Sequence, residues 1–207
     1  MWKPEEWLTA DNPLRLFDLV VTPISERRLR LLIGGVTRLL ADELPAKYRV
    51  DAFVAVETLA HGEKRNPAIT RLRAELKRGA KLPPRIRLLL TYVASGLNDN
   101  LRLAARTRLI EVLSQPPLCD RKRVETVVRD IFGNPFRPIA FDSIWRTSDV
   151  VALAQGIYDE RAFDRMPILA DALQDAGCDN DDVLNHSRAD TVHARGCWVV
   201  DAVLGKA

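Results

Sequence analysis

Two of the three cysteines and two of the three histidines of this chain fall in "GCDNDDVLNHSRADTVHARGCWVV", as Cys178, His186, His193 and Cys197. Thiolate and imidazole are the donors zinc prefers, and four of them complete a tetrahedral shell. The spacing Cys178-x7-His186-x6-His193-x3-Cys197 therefore offers a Cys2His2 set. His193 and Cys197 stand at i and i+4, which places them on one face if the last segment is helical. The paired C-x-x-C knuckles that make a zinc site specific are absent. Ordinary packing is the favoured reading, because cysteine often behaves as a small buried hydrophobe. Cys197 is followed by Trp198, Val199 and Val200, and His186 is placed to cap the end of a helix. The sequence thus favours no cofactor, with zinc as the alternative. A third reading makes Cys197 a nucleophile, His193 its base and Asp190 or Asp201 the orienting carboxylate. Reactive thiols prefer electropositive, exposed settings, and this tail is acidic.

A second group of residues is basic. Between Lys64 and Arg108 there are 12 Lys or Arg residues, opposed only by Glu75 and Asp99. Arg71, Lys77, Arg78, Lys81, Arg102 and Arg106 lie off the apolar stripes of their segments, so neighbouring helices can present a positive face. Such a face binds phosphates in a salt-sensitive, sequence-independent way. Tyr92 is its one aromatic residue, which gives little support to stacking on single strands. A solvated face with arginine stems covering apolar surface is the favoured alternative, and an acidic protein partner is a third. His61 reads as a helix C-terminal residue.

"YDERAFDR" clusters Asp159, Glu160 and Asp164 with Arg161 and Arg165. It reads as a helix end followed by a helix start with local ion pairs. No Gly-rich phosphate loop, GxSxG or HExxH occurs. No catalytic residue is assigned from the sequence.

The elements that must position these residues read as helices throughout. In "SERRLRLLIGGVTRLLADEL", Leu29, Leu32, Ile33, Val36, Leu39 and Leu40 recur at helical spacing. Ser25 is placed as the N-cap, and Pro45 closes the segment. "AKYRVDAFVAVETLAHG" repeats the pattern at Val50, Phe53, Val54 and Val56 and ends at Gly62. "NPAITRLRAELKRG" ends at Gly79, and "PPRIRLLLTYVASGL" places Pro84 in a first turn. "NDNLRLAARTRLIEVL" and "CDRKRVETVVRDIFG" follow. Pro135 and Pro138 exclude helix from "NPFRPIAFD" and favour an extended run. The aromatic-rich stretch to Trp145 reads as a strap over the core, since exposed aromatics are costly. Beyond it, "SDVVALAQGIYDE", "MPILADALQDAG" and "DNDDVLNH" read as helices, the last capped by Asp179. "HARGCWVVDAVLG" reads as a fourth, although "CWVV" is β-prone.

The fold class is therefore all-α: stacked helix pairs, whose spacing permits a solenoid-like array, plus a compact C-terminal helical unit. The expected divisions are 1–132 with the basic segment 64–108, a Pro/aromatic-rich strap at 133–147, and 148–207 with the Cys/His cluster. An apolar fraction of 47% with 29% charged residues suits a globular chain. No apolar run reaches the roughly 18 residues of a membrane span. The opening "MWKPEEWLTADNP" is not a secretory signal, and three cysteines do not make a disulfide scaffold. Together these point to a reduced, cytoplasmic protein.

"EEWLTADNP" with "SERRLRLLIGGVTRLL", and then "RDIFGNPFRPIAFDSIWRT", "ALAQGIYDERAFDRMPILADALQDAGC" and "HARGCWVVDAVLGK", resemble a bacterial family of helical proteins frequent in planctomycetes and actinobacteria. The likeness is closest from about Arg129 to Lys206, and the stretch from about Lys64 to Arg123 carries none. Members of that family tend to have paired cysteines where this chain has Gly34, Gly35 and Val36, and often a cysteine in place of Ser187. The family has no assigned activity, so the resemblance implies an architecture and not a reaction. The residues favour a non-enzymatic helical interaction module that binds a protein partner or itself. The alternative is a zinc-stapled helical protein binding nucleic acid through residues 64–108, and the third is a Cys/His enzyme.

Overall fold

Leu29, Leu32, Ile33 and Val36 fall one helical turn apart, and the helix they predict is the most deeply buried of the N-terminal half. A computed structural model of the chain describes residues 7, 9–20, 25–63, 66–78, 82–96, 100–114 and 120–206. Among the described residues there are eleven α-helices and no strand. The all-α class follows from the 3.6-residue apolar repeat. No helix among them is long and apolar enough to cross a membrane.

The chain divides into two compact units, Met1–Val128 and Arg129–Ala207. The first contains α1 (Pro13–Val20), α2 (Glu26–Leu39), α3 (Ala46–Ala60), α4 (Pro67–Lys77), α5 (Pro84–Ser95) and α6 (Leu101–Leu113). The division falls inside α7 (Arg121–Phe132). The second unit holds the end of α7 with α8 (Ser148–Glu160), α9 (Met166–Asp175), α10 (Asp181–Arg188) and α11 (Trp198–Leu204).

In the first unit α2 packs on α3, α3 on α4, and α5 on α6, giving the helix pairs the sequence implies. The permitted solenoid-like continuation is not how they are arranged. α2 also meets α5 and α6, and α1 meets α6, so helices distant in sequence close around α2. The reason is visible on α2 itself. Leu29, Leu31, Leu32, Ile33 and Val36 are all buried, which demands neighbours on more than one side. Ser25 caps the helix by accepting from the Arg28 N–H. Glu57 of α3 is buried, and its charge is met by Arg38 Nη2 at 2.6 Å and Nε at 3.1 Å. Gly62 ends α3 with φ +82°, as a left-handed terminator should. Gly79 lies outside the described residues.

The second unit has its own core. Trp145, Val150, Ile157, Met166, Leu169, Leu173, Val183, Val199 and Val203 form it, together with both described cysteines. α11 packs on α8, α8 on α9, and α9 on α10. The strap is irregular, with Asn134 and Asp142 side chains each accepting from an N–H two residues on. Trp145 is buried, with Phe141 edge-on at 5.2 Å between ring centroids. The β-prone "CWVV" is helical from Trp198, because its valines complete a core of helices. The cap of α10 is Asn180, accepting from Val183 N, rather than Asp179. Asp181 and Asp182 occupy its first turn, where the helix dipole favours them.

Leu32 is 1% exposed at the centre of the first unit. Leu32→Ala is expected to lower stability by about 2–5 kcal/mol through the lost contacts and the cavity left behind. Chemical denaturation of the two chains measures this, and a loss under about 1 kcal/mol would show that α2 is not the centre of the unit.

Candidate metal centre

The end of α7 brings an aspartate into the core of the second unit. Val127, Val128, Ile131 and Phe132 are buried on this helix, and Asp130, three residues from Val127, lies beside their stripe. A buried carboxylate is costly unless its oxygens are met by donors. Three donors meet it, all from residues far along the chain. His193 Nδ1 lies 2.6 Å from Oδ1, and His186 Nε2 lies 3.1 Å from the same oxygen. The N–H of Ala194 donates to Oδ2 at 2.8 Å. Burial pushes the Asp130 carboxyl up, but the hydrogen bonds and charge of His186 and His193 outweigh it and hold it below the usual carboxylate range.

His186 comes from the last turn of α10, three residues from buried Val183, so it extends from the same side of the helix. His193 and Cys197 come from the loop before α11. The expectation that they share a helical face is not met, since the helix starts only at Trp198. A turn brings them together instead. Gly196 has φ +98°, and Cys197 N donates to Ala194 O at 2.9 Å. The loop is fixed from its other side by Arg195. Its Nε and Nη2 each donate at 3.0 Å, to the carbonyls of Tyr158 and Asp159 at the end of α8. Orphan carbonyls at a helix C-terminus are natural partners for a cation.

The outcome is a cluster of Asp130, His186, His193 and Cys197, with one donor atom of each within 4.8 Å of all the others. His186 Nε2 is 3.3 Å from Cys197 Sγ. The side chains of Asp130 and His193 are 1% and 3% exposed, while that of His186 is 18% exposed. The sequence reading is thereby corrected at one position. Cys178 is not part of the cluster. It packs in the apolar core, and its N–H donates to Leu173 O at 2.9 Å beyond the end of α9. Asp130 occupies the fourth place. An acidic residue bordering the apolar stripe of α7 was the available signal, and it lies 56 residues before His186.

The donor set can be tested for its fit to a metal. Two imidazoles, a thiol and a carboxylate make a borderline set that suits zinc, unlike the all-oxygen shells of calcium and magnesium. Donor atoms on one tetrahedral zinc lie roughly 3–4 Å apart, the scale of the observed cluster. His193 Nε2 is buried without a hydrogen-bond partner. With Nδ1 donating to Asp130, that nitrogen keeps an unclaimed lone pair. A metal shared with Asp130 would use the nitrogens that face that carboxylate, Nδ1 of His193 and Nε2 of His186, in place of the present hydrogen bonds. The residues fit.

They fit nucleophilic catalysis poorly. Burial pushes the Cys197 thiol well above its ordinary value, and the Asp130 charge pushes it further. The imidazole on Cys197 is that of His186, and Asp130 binds the same nitrogen that faces the sulfur. A triad needs the carboxylate on the opposite nitrogen of the base.

Arg71, Arg78 and Arg106 lie off the apolar stripes, exposed and each paired with a carboxylate. Arg71 is paired with Asp51 through two bonds of 2.7 Å, and Arg106 with Asp18 at 2.6 and 2.8 Å. Arg78 meets Glu75 at 2.8 Å. Lys77 is exposed. Lys81 and the side chain of Arg102 lie outside the described residues. His61 stands at the C-cap of α3 with Nδ1 2.6 Å from Glu57 O.

Comparison with protein-family models, curated proteins and solved structures returns no match.

Two outcomes follow from this geometry. Asp130→Ala strips the partner from three buried donors and should destabilise the second unit by about 3 kcal/mol or more, measured by denaturation. Cys178 and Cys197 should resist a thiol reagent at neutral pH and label at full rate only in denaturant. Rapid labelling of Cys197 in the native chain would contradict its burial.

Proposed function

We propose that the chain is a non-enzymatic helical interaction module whose C-terminal unit is stapled by one zinc ion. The observation that carries this reading is the convergence of Asp130, His186, His193 and Cys197 within 4.8 Å, in a largely buried setting. Zinc, when bound, takes the place of the thiol proton and cross-links the end of α7, the end of α10 and the start of α11. The chain's own residues supply the rest. Asp130 gathers both imidazoles in the metal-free chain, Arg195 fixes the loop to α8, and the valines of α11 close the core beneath. A structural role suits a second unit of 79 residues, which has a modest core and gains from a staple.

A protein partner is favoured over nucleic acid for the first unit. Val50 and Val54, one helical turn apart on α3, are exposed. The arginines expected to contact phosphates are instead matched by carboxylates of the same unit. The Cys/His enzyme reading gains no support from a deeply buried thiol.

Untagged protein purified without added metal or chelator should contain close to one zinc per chain by elemental analysis. Cys197→Ser and His193→Ala should lose it, while Cys178→Ser keeps it. A strong chelator should lower the melting temperature of the wild type and leave that of Cys197→Ser unmoved. A full-length chain that takes up no zinc, cobalt or nickel at micromolar concentration would overturn the staple.

A further inference from the structure

Gly133 follows α7 with φ +61°, a conformation that suits glycine, and it stands three residues after Asp130. A Cβ at this position would lie 3.2 Å from Cγ and 3.3 Å from Cδ2 of Trp198. The indole therefore rests against the bare backbone of Gly133. Its ring centroid lies 5.1 Å from that of His186, with the planes tilted by 49°. His186 in turn meets His193 edge-on at 5.1 Å, and Phe163 stacks on His193 at 6.3 Å. The two imidazoles are thus enclosed in a row of rings.

The two ends of that row differ in exposure. The His193 side chain is almost fully buried, whereas that of His186 is the more accessible of the two imidazoles on the carboxylate. Trp198 is half-buried as well. The more exposed of the two imidazoles is therefore the one that the indole contacts. Trp198 also follows Cys197 directly, so one short segment supplies both a donor and the cover. The apolar shell around a metal site sets solvent access and holds the donors in line.

We infer that Trp198, seated on Gly133, is a positioning residue that holds the His186 imidazole in the cluster and controls exchange of the metal with solvent. The exchange half rests on the zinc reading above, while the positioning half does not. In the full chain Trp198→Leu keeps apolar bulk but removes the aromatic face, Trp198→Phe restores a ring, and Gly133→Ala displaces the indole. In metal-free protein the carbon-bound ring protons of His186, assigned through His186→Gln, should be moved upfield by the indole. That displacement should vanish in Trp198→Leu and return in part in Trp198→Phe.

In zinc-loaded protein, transfer to a chromogenic chelator should be roughly tenfold faster or more in Trp198→Leu and Gly133→Ala, and close to wild type in Trp198→Phe. Unchanged His186 protons in Trp198→Leu overturn the positioning role. Unchanged release rates in Trp198→Leu and Gly133→Ala overturn control of exchange. A wild type that shows the ring displacement but binds no zinc fails the zinc reading and the exchange role, and supports the positioning role.

Discussion

A carboxylate in the interior of the second unit is the constraint around which the rest is arranged. Asp130 sits at the end of α7 with 1% of its side chain exposed. An isolated ionised carboxylate cannot be held there without compensation, because the free energy of desolvating it is several kcal/mol. Three donors compensate it, and they arrive 56, 63 and 64 residues later. Each of those hydrogen bonds fixes a different piece of chain: the last turn of α10, the side chain of the following loop, and the backbone of that same loop. The polar centre therefore dictates the path of a segment that has no regular structure of its own. The apolar core beneath it, from Val183 to Val203, supplies the stability that makes the burial tolerable.

The same arrangement keeps the Cys197 thiol protonated. Cys197 is the N-cap of α11, a position where a helix dipole would ordinarily lower a thiol's pKa. Burial and the nearby carboxylate act in the opposite sense and win. A helix of seven residues carries a weak dipole, and a negative charge within the cluster is closer than the helix as a whole. A cation held by these four residues would reverse this balance, replacing the proton on sulfur and meeting the carboxylate with opposite charge. Charge pairing and donor chemistry thus point in one direction.

Much of the helical skeleton was legible in the chain. The stripe from Leu29 to Val36, the Ser25 cap, Pro84 in a first turn and Gly62 at a helix end are local features, and local rules find them. The cluster was legible only in part. His186, His193 and Cys197 were visible as chemistry-bearing residues close in sequence. Asp130 was not, because its partners lie on another element, and a single aspartate in an amphipathic helix resembles any solvated one. Cys178 lies apart from the cluster for the converse reason. A cysteine near two histidines in sequence looks like a ligand, but it sits beyond the end of α9 and packs among Leu173 and its neighbours. His193 and Cys197 were joined correctly for the wrong reason. Gly196, in a left-handed conformation, does with a turn what helical spacing alone would do.

The basic segment teaches the complementary lesson about charge. Counting Lys and Arg between positions 64 and 108 overlooks carboxylates that come from outside that window. Asp18 meets Arg106 across 88 residues, Asp51 meets Arg71 across 20, and Glu43 reaches Arg85. Exposed pairs of this kind contribute little to folding, and they cost little to break. Their effect on binding is larger than their effect on stability, because they lower the local potential that would attract a polyanion. A phosphate approaching Arg71 or Arg106 would have to displace a carboxylate already held by two hydrogen bonds, and would release fewer counterions in doing so. An apolar surface such as the one bearing Val50 and Val54 faces no such competition. That asymmetry, and not the sign of the net charge, is what supports the proposal of a protein partner for the first unit.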